Sequence, residues 1–482
     1  MAKEYEIVVG LEVHAQLSTK SKAYCSDSAE FGARPNHHTG PISLGHPGTL
    51  PKLNKKVVEY AVKMGLATHC SIRHENHFAR KNYFYADLPK GYQITQDNTP
   101  ICYNGFIDIK LSNHITKRIG ITRIHMEEDA GKSIHDQDVY DTLIDLNRAG
   151  VPLIEIVSEP DIRSGEEAYQ YLTEIRKILR YLDICDGNME EGSMRCDANI
   201  SVRIKGDAEF GKRCEVKNLN SIRNVQRAIE HEAERQIAVI EAGGIIEQNT
   251  LNFDATTGKT SVLRTKEMAN DYRYFPEPDL TPIVLNEQYV ADIKTNMPAL
   301  PEELFTRYTQ QLELTEYDAQ IITADRDTAH YFEQLTNHTT NYKAAANWLM
   351  GSIRSYLNEN AIDITHFVLK PQQIADIITL IDSGKISNST ATQQVFPAML
   401  ETPQKNALTL AQELNVIIET SEDDTLEFIK KAIAKYPDKV VDYNNGKKGV
   451  LGLFMGEIMK LSKGKINPKT VNQLLIEQLE NN

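Results

Sequence analysis

The chain has few cysteines and no long apolar run, and each shortage excludes a class of protein. Six cysteines among 482 residues, with no C-x-x-C spacing, argue against a disulfide-stapled fold and favour a reducing compartment such as the cytoplasm. The longest apolar runs, near residues 7–9 and 151–157, fall far short of the roughly 18–20 residues that span a bilayer. The first residues do not show the pattern of a signal peptide, because residues 1–6 are charged and lead directly into a strand-like segment. We therefore expect a cytoplasmic protein with no membrane association.

Positive charge is also in short supply. Lys and Arg total 53 against 67 Asp and Glu, which gives a formal net charge of −14. Because nucleic-acid binding needs clustered Lys and Arg, this average argues against an RNA partner. Residues 446–470 depart from it, with six lysines and one glutamate, a local charge of +5. This segment suits either a solvated helix face or contact with an RNA backbone.

The pattern of the sequence changes twice along the chain. Hydrophobic residues make up 41% and charged residues 25%, values typical of a globular protein with an ample core. Residues 1–295 show alternating strand patterns with a few helices, whereas residues 296–405 and 406–482 are helical and are separated by a proline-containing break. The prediction is an α+β protein with three domains over these ranges. Helices are expected to begin after Ser164 and Ser221, and the second to end at Gly243.

Five strand-like segments carry short acidic and basic side chains at alternate positions. Because side chains alternate along a strand, each segment presents one polar face. The polar faces hold Glu12, His14 and Gln16; Arg123, His125 and Glu127; Glu155; Arg195, Asp197, Asn199, Ser201 and Arg203; and Arg213, Glu215 and Lys217. A solvated face is the ordinary explanation for any one such strand.

These faces suggest a metal site if the strands share a sheet. Glu12, Glu127, Glu155 and His14 would then converge, and such ligands suit Mg²⁺ or Mn²⁺, with the histidine favouring Mn²⁺. Lys and Arg on the same face would meet phosphate oxygens, as phosphoryl transfer requires. Glu155 supports this interpretation, because a carboxylate inside an apolar strand is costly to bury unless it is paired or bound to a cation.

Three other segments are more ambiguous. Residues 80–85 mix cations with aromatic rings, which suits either base stacking with phosphate binding or an aromatic hairpin with exposed charges. Residues 271–279 contain two prolines and form a rigid segment, either structural or lining a site. Residues 206–213 match G-x4-G-K but lack the Ser or Thr and the helix of a phosphate-binding loop, so they predict a hairpin turn.

Six motifs, in order, resemble the B subunit of the aspartyl/glutamyl-tRNA(Asn/Gln) amidotransferases, the GatB family. They are GLEVH at 10–14, RKNYFY at 80–85, HMEEDAG at 125–131, EIVSEPD at 155–161, MEEGSMRCDAN at 189–199 and DYRYFPEPD at 271–279. The likeness covers essentially the whole chain, including NWLMG at 347–351 and the lysine-rich tail.

The resemblance implies a fold and an activity. The fold would be a kinase-like, largely antiparallel β cradle, a helical domain and a small helical tail that binds tRNA. The activity would be a glutamine-hydrolysing ligase: ATP and Mg²⁺ serve to phosphorylate the side-chain carboxyl of Glu on tRNA(Gln) or Asp on tRNA(Asn). Ammonia from a partner amidase (glutaminase) subunit then displaces the phosphate, and a small third subunit would bridge the two. Which of the two products is physiological stays open.

The motifs and polar faces also assign roles to single residues. The expected metal ligands are Glu12, His14, Glu127 and Glu155, and the expected catalytic residues are Glu128, Arg195, Asp197 and Lys217. ATP binding is assigned to Lys81, Tyr83, Tyr85, Arg123, Asn199 and Glu215, and tRNA binding to Lys447, Lys448, Lys460, Lys463 and Lys465.

Many of the proteins that the chain resembles have a zinc ribbon near the start, and this chain departs from that pattern. Of the four cysteines of that pattern only Cys25 is present, and since one thiolate cannot build a four-ligand site, we expect no zinc. Two other functions remain as alternatives: a non-catalytic tRNA-binding scaffold, which would not need Glu155 in an apolar strand, and a metal-dependent phosphoesterase, which would hydrolyse simple phosphate esters without tRNA.

Overall fold

The computed structural model describes residues 4–112, 115–265, 272–418, 422–444, 446–462, 466 and 468–480. The chain forms two compact units, Met1–Pro301 and Glu302–Asn482. Among the described residues, every helix is too short or too polar to cross a lipid bilayer.

All sixteen described strands belong to the first unit. They are β1 Tyr5–Gln16, β2 Ser71–Ile72, β3 Glu75–Asn76, β4 Ala79–Asn82, β5 Tyr92–Thr95, β6 Cys102–Lys110, β7 Thr116–Glu128, β8 Lys132–Ile134, β9 Leu143–Asp145, β10 Pro152–Ser158, β11 Met194–Ile204, β12 Cys214–Leu219, β13 Asn249–Asp254, β14 Lys259–Thr265, β15 Arg273–Pro276 and β16 Ile283–Val284. Nine of them form one sheet in the order β14-β13-β12-β11-β1-β10-β7-β6-β2. Its pairs are antiparallel except β12 with β13. A smaller sheet has the order β15-β4-β5.

Alternation along the strands separates a core face from a polar face. On β1, Leu11, Val13 and Ala15 are fully buried and belong to the main hydrophobic cluster, whereas Glu12, His14 and Gln16 point the other way. The helices of this unit are α1 Lys55–Ala67, α2 Gly165–Tyr181, α3 Ile222–Glu241 and α4 Glu287–Thr295. The buried side chains of α1, α2 and α3 complete the same cluster, so the helices cover the apolar face of the sheet.

The second unit is helical. Its helices are α5 Pro301–Gln310, α6 Glu316–Thr323, α7 Arg326–Thr336, α8 Tyr342–Trp348, α9 Arg354–Asn360, α10 Pro371–Asp382, α11 Asn388–Thr390, α12 Phe396–Glu401, α13 Ala407–Glu413, α14 Glu422–Lys435, α15 Pro437–Asn444, α16 Leu451–Leu461 and α17 Pro468–Glu480. Helices α14 to α17 surround a hydrophobic cluster of their own, which includes Ile429, Phe454 and Leu475. The division of the chain into three domains stays a prediction.

The structure confirms several local predictions. Ser164 and Ser221 cap α2 and α3 through bonds from the backbone N–H groups of Glu167 and Asn224. Gly243, just after α3, has a left-handed φ of +79°, which a side chain would make costly. Residues 206–213 form the connection of the antiparallel pair β11 and β12, as a hairpin turn requires. The mixed, largely antiparallel sheet is also as predicted.

Candidate catalytic site

The predicted polar faces lie side by side on the nine-stranded sheet. His14 of β1 lies opposite Glu155 of β10 and opposite Arg195 of β11, and Glu12 lies opposite Asp197. Opposed side chains on antiparallel strands lie about 5 Å apart, so the register itself collects these groups. Strand β1 is central, because its Glu12 and His14 belong to two different groups of ligands.

The first group, the inner group, consists of His14, Glu127 and Glu155. Their ligand atoms all lie within 4.8 Å of one another, close enough to hold one cation. The Nε2 atom of His14 is 3.3 Å from a carboxylate oxygen of Glu155. Both glutamates are buried, at 3% and 8% exposure.

The second group, the outer group, consists of Glu12, Asp197 and Glu215, again with ligand atoms within 4.8 Å. Asn199 donates a hydrogen bond to Glu12 at 3.0 Å. The Lys217 ammonium contacts Asp197 and lies 2.9 Å from Glu215. The three carboxylates lie close together with the Lys217 ammonium beside them, and burial together with Glu155 and Asp197 raises the pKa of Glu12. A divalent cation would offset this excess of negative charge.

His125, on β7 with Glu127 and opposite Glu155 of β10, contacts both carboxylates of the inner group. Its Nε2 atom is 3.2 Å from Glu127 and 3.4 Å from Glu155. Burial opposes the charged form, but the two carboxylates outweigh it and raise the pKa of His125 to about 9. The same contacts, with that of His14, hold the pKa of Glu155 well below its usual range despite burial.

Strand β5 fixes Glu127 from the other side. Thr95 donates a hydrogen bond to one carboxylate oxygen at 2.6 Å, and Gln93 donates to the other at 3.1 Å. Because both oxygens are held, the carboxylate has a defined orientation before any ligand binds.

Arg195 is held in place by a buried acid. Asp129 accepts hydrogen bonds from Arg195 at 2.9 Å and from Gln16 at 2.7 Å. Burial opposes ionisation, but Arg195 and Arg148 outweigh it and lower the pKa of Asp129. Arg195 is thus a fixed cation beside His14 in the register of the sheet.

The aromatic segment around β4 also borders the site. Lys81 lies opposite Gln93 of β5 in the register, and its Nζ atom is 4.8 Å from the ring centre of Tyr272. Burial opposes its charge, but Glu127 outweighs this effect and raises the pKa of Lys81. Tyr83 touches Tyr85 and Tyr272 edge to face.

Two further predicted residues, Glu128 and Arg123, also belong to neither ligand group. The Glu128 carboxylate pairs with Lys90, accepts a hydrogen bond from the backbone N–H of Ile94 and borders a small cavity beside Tyr24. Arg123 lies on β7 opposite Val157. The catalytic role of Glu128 and the ATP contact of Arg123 stay predictions.

The lysines predicted to bind tRNA lie in the tail. Lys447, Lys448 and Lys460 are exposed, with Lys447 3.0 Å from Asp442 and Lys448 over the ring of Tyr443. Lys463 and Lys465 lie outside the described residues. Cys25, near the start of the chain, lies beside Ser43 at 3.5 Å, and the expectation of no zinc stays a prediction.

The sequence alone did not single out the residues that support the site. Gln93, Thr95 and Asp129 were missed, and His125 was placed on the correct face without a role. A signal existed for two of them: Gln93 and Thr95 alternate with Tyr92 and Ile94, as the ligands do on their own strands. Their contact with Glu127 depends on how the three-stranded sheet packs against the nine-stranded sheet, and the alternation of side chains along one strand does not predict this packing.

Fold and site together define an α+β enzyme domain with acidic and basic side chains gathered on one face of a sheet. Residues 7–291 match the family model described as the GatB/GatE catalytic domain, and residues 330–479 match the model described as the GatB domain. The chain belongs to the GatB family.

Full-length relatives agree with this assignment. Proteins named as the B subunit of aspartyl/glutamyl-tRNA(Asn/Gln) amidotransferase from Caldicellulosiruptor bescii and Caldicellulosiruptor saccharolyticus are 51% and 50% identical over 480 residues, with 99% of each chain covered. The protein of that name from Thermodesulfovibrio yellowstonii is 48% identical over 477 residues, which are 99% of this chain and all of that one. The resemblance inferred from the motifs is confirmed.

Proposed function

We propose that this chain is the ATP-dependent subunit of a tRNA-dependent amidotransferase, which activates the side-chain carboxyl of Glu on tRNA(Gln) or of Asp on tRNA(Asn). The observation that carries the proposal is the pair of ligand groups on adjacent strands, with Arg195, Lys217 and Lys81 around them. The names of the relatives supply the substrate class.

The chemistry needs two steps. A carboxylate does not react with ammonia until one of its oxygens becomes a good leaving group. First, a carboxylate oxygen of the substrate attacks the γ-phosphorus of ATP, the bond to the β–γ bridging oxygen breaks, and ADP leaves. Second, ammonia attacks the acyl carbon, the bond to the phosphate oxygen breaks, and the nitrogen loses a proton to give Gln-tRNA(Gln) or Asn-tRNA(Asn).

The donor sets fit Mg²⁺. The outer group offers three carboxylates and the inner group two carboxylates with an imidazole, so both supply mainly the hard oxygen ligands that Mg²⁺ prefers. When bound there, Mg²⁺ would offset charge on the phosphate oxygens. Arg195 and Lys217, as fixed cations, would stabilise the charge that builds up as the phosphoryl group moves.

The ammonia is assigned to a partner. Burial raises the pKa of all six cysteine thiols, the residue type that most readily gives a nucleophile for glutamine hydrolysis. The relatives are named as one subunit of an amidotransferase, which fits a complex that also holds an amidase (glutaminase) and a small third subunit. As an enzyme of translation, that complex would work in the cytoplasm.

The proposal is tested by reconstitution with the two partner subunits, supplying Glu-tRNA(Gln) and Asp-tRNA(Asn) separately with ATP. Glu127→Ala and Glu12→Ala should each lower tRNA-dependent ATP cleavage about 100- to 1,000-fold, because each removes a ligand from one group. The glutaminase activity of the partner without tRNA should persist in both variants.

Glu4→Ala is the matched control, since Glu4 forms an exposed pair with Lys205. It should cleave ATP at the wild-type rate. If Glu127→Ala and Glu12→Ala also cleaved ATP normally, the metal assignment would be wrong and a non-catalytic tRNA-binding scaffold would fit better. Hydrolysis of simple phosphate esters without tRNA would favour a phosphoesterase.

A further inference from the structure

Three tyrosines form an open aromatic surface at the edge of the site. Tyr83 lies between Tyr85 and Tyr272, with ring centres 5.7 and 5.4 Å apart and planes at 71° and 72°. Tyr85 is 46% exposed and Tyr272 39%, and the neighbouring Phe84 is 86% exposed. We call Tyr83, Tyr85 and Tyr272 the tyrosine platform. A contiguous patch of exposed aromatic rings is typical of a surface that binds a ligand or a partner.

The platform is continuous with the inner group. Glu127 accepts a hydrogen bond from Gln93, and Gln93 lies opposite Lys81, whose ammonium lies over the ring of Tyr272. This series of contacts connects the rings to the inner group. Exposure increases along the series, from buried Glu127 through Lys81 and Tyr83 to Tyr85.

A buried ion pair joins the two segments that carry the platform. Arg80 of β4 donates two hydrogen bonds to Glu277, at 2.7 and 3.0 Å, and one to Asp279. Glu277 is only 5% exposed, and the pair ties the chain beyond β15 to β4. Strands β4 and β15 are thus fixed beside each other, and Tyr83 and Tyr272 adjoin the paired ends of these strands.

We infer that the tyrosine platform binds the 3′-terminal adenosine of the aminoacyl-tRNA, which places the attached amino acid at the inner group. The inference rests on the proposed function. Tyrosine rings stack on any base, and the nearby Lys81 and Arg273 suit phosphate oxygens. The reacting carboxyl is joined to the terminal ribose through the aminoacyl group, so the subsite for that nucleoside has to adjoin the inner group, and the platform is connected to it through Lys81 and Gln93.

The openness of the platform favours RNA over ATP as the source of the adenosine. A terminal nucleotide remains attached to the rest of the strand, so its subsite has to open to solvent on the side where the strand leaves. The phosphates of ATP need cations, and the outer group, with Lys217 beside it, would hold Mg²⁺ for them on the β11 and β12 side of β1. Tyr83 and Tyr85, predicted from sequence to bind ATP, are thus reassigned to the aminoacyl-tRNA.

The test compares intact aminoacyl-tRNA with deacylated tRNA that lacks its terminal adenosine. In filter binding with the full-length chain, removal of that adenosine should weaken wild-type binding about tenfold. Tyr85→Ala should bind intact tRNA about tenfold more weakly and should lose little more when the adenosine is removed. Deacylated intact tRNA serves as a reference for the aminoacyl group, and Tyr85→Phe should retain wild-type behaviour.

Tyr140→Ala is the matched control, because Tyr140 is 96% exposed on a different loop and should bind both RNAs normally. The affinity for ATP, measured by equilibrium dialysis, should be unchanged in Tyr85→Ala. Weaker ATP binding with an unchanged effect of the terminal adenosine would overturn the inference and assign the platform to ATP. Wild-type protein that amidates in the complex but shows no effect of the terminal adenosine would also overturn it, while leaving the proposed function intact.

Discussion

At the scale of single residues, the site depends on side chains that fix other side chains. Asp129 orients Arg195, and Thr95 and Gln93 orient Glu127. The cation that would contact the phosphates and the carboxylate that would bind the metal ion are therefore in position before substrate binds. Such fixed charges need no reorganisation during the reaction, which is the main source of electrostatic catalysis.

This organisation predicts the effect of removing Arg195. The Arg195→Ala variant should cleave ATP about a hundredfold more slowly in the reconstituted complex, because a fixed cation is lost from the transferring group. Because the buried Asp129 loses one of its partners, the variant should also unfold at a lower urea concentration, while Gln16 and Arg148 remain beside that carboxylate and keep the variant folded without urea. The control is Arg118→Ala, which removes an exposed arginine paired with Asp108 on the same sheet. Equal rates for the two variants would contradict the assignment.

The sequence pattern indicated the candidate ligands but not the residues that hold them. Glu12 and His14 stand out because short acidic and basic side chains at every second position are rare on solvated strands, and Glu155 because it is a single carboxylate in an apolar strand. Asp129 follows directly after β7, where no alternation distinguishes it. Its role depends on contact with Arg195, 66 residues further along the chain, and only the register of the sheet creates that contact.

At the scale of elements, helix α3 is joined to the sheet through a buried carboxylate. Glu232 is fully buried and accepts hydrogen bonds from Arg235, Gln236 and Thr260. Gln236 in turn donates to the backbone oxygen of Ile200 in β11. Burial opposes ionisation of Glu232, but the hydrogen bond from Arg235 outweighs it and lowers the pKa of the carboxyl.

The network predicts a pH-dependent stability. Glu232→Gln should lower the free energy of unfolding by about 2 kcal/mol at neutral pH, because it removes charge-assisted hydrogen bonds. Since the folded-state pKa is lowered, this contribution is present above the ordinary pKa of about 4.3 and is lost as the pH falls below it. Urea unfolding should show a constant gap between wild type and variant above about pH 5, and the gap should narrow as the pH falls from about 5 to about 3. A gap that stays constant with pH would contradict an ionised Glu232.

The elements themselves were predictable, whereas their order in the sheet was not. The caps of α2 and α3 depend on local chemistry at Ser164 and Ser221, so the sequence locates them. That β1 lies between β10 and β11 depends on pairing between strands far apart in the chain. The convergence of all four predicted ligands was therefore an assumption, and the structure gathers His14, Glu127 and Glu155 but places Glu12 in the outer group.

At the scale of the whole molecule, the net charge of −14 is a poor guide to partners. Five of the acids form the two ligand groups, where they meet cations, while the tail carries a local charge of +5. Average charge describes solubility, and local charge decides binding to RNA.

The tail predicts a salt-dependent contact with tRNA. Reversing Lys460 and Lys463 to Glu should weaken tRNA binding and reduce the slope of log affinity against log salt concentration by about two, because two phosphate contacts are lost. ATP cleavage at saturating tRNA should be unchanged. Reversing the exposed Lys52 and Lys385 makes the same change in net charge and serves as the control. Equal losses in both double variants would show that only the total charge matters.

The position of Glu12 and His14 on one strand has an evolutionary consequence. Two residues along a strand span about 6.6 Å, so β1 acts as a spacer that sets the separation of the two ligand groups. An insertion or deletion of a single residue between Gly10 and His14 would turn one or both ligands into the apolar core. Residues of the loops and the tail lysines can therefore change one at a time during evolution. A change in the length of β1 between Gly10 and His14 would instead disrupt both ligand groups together.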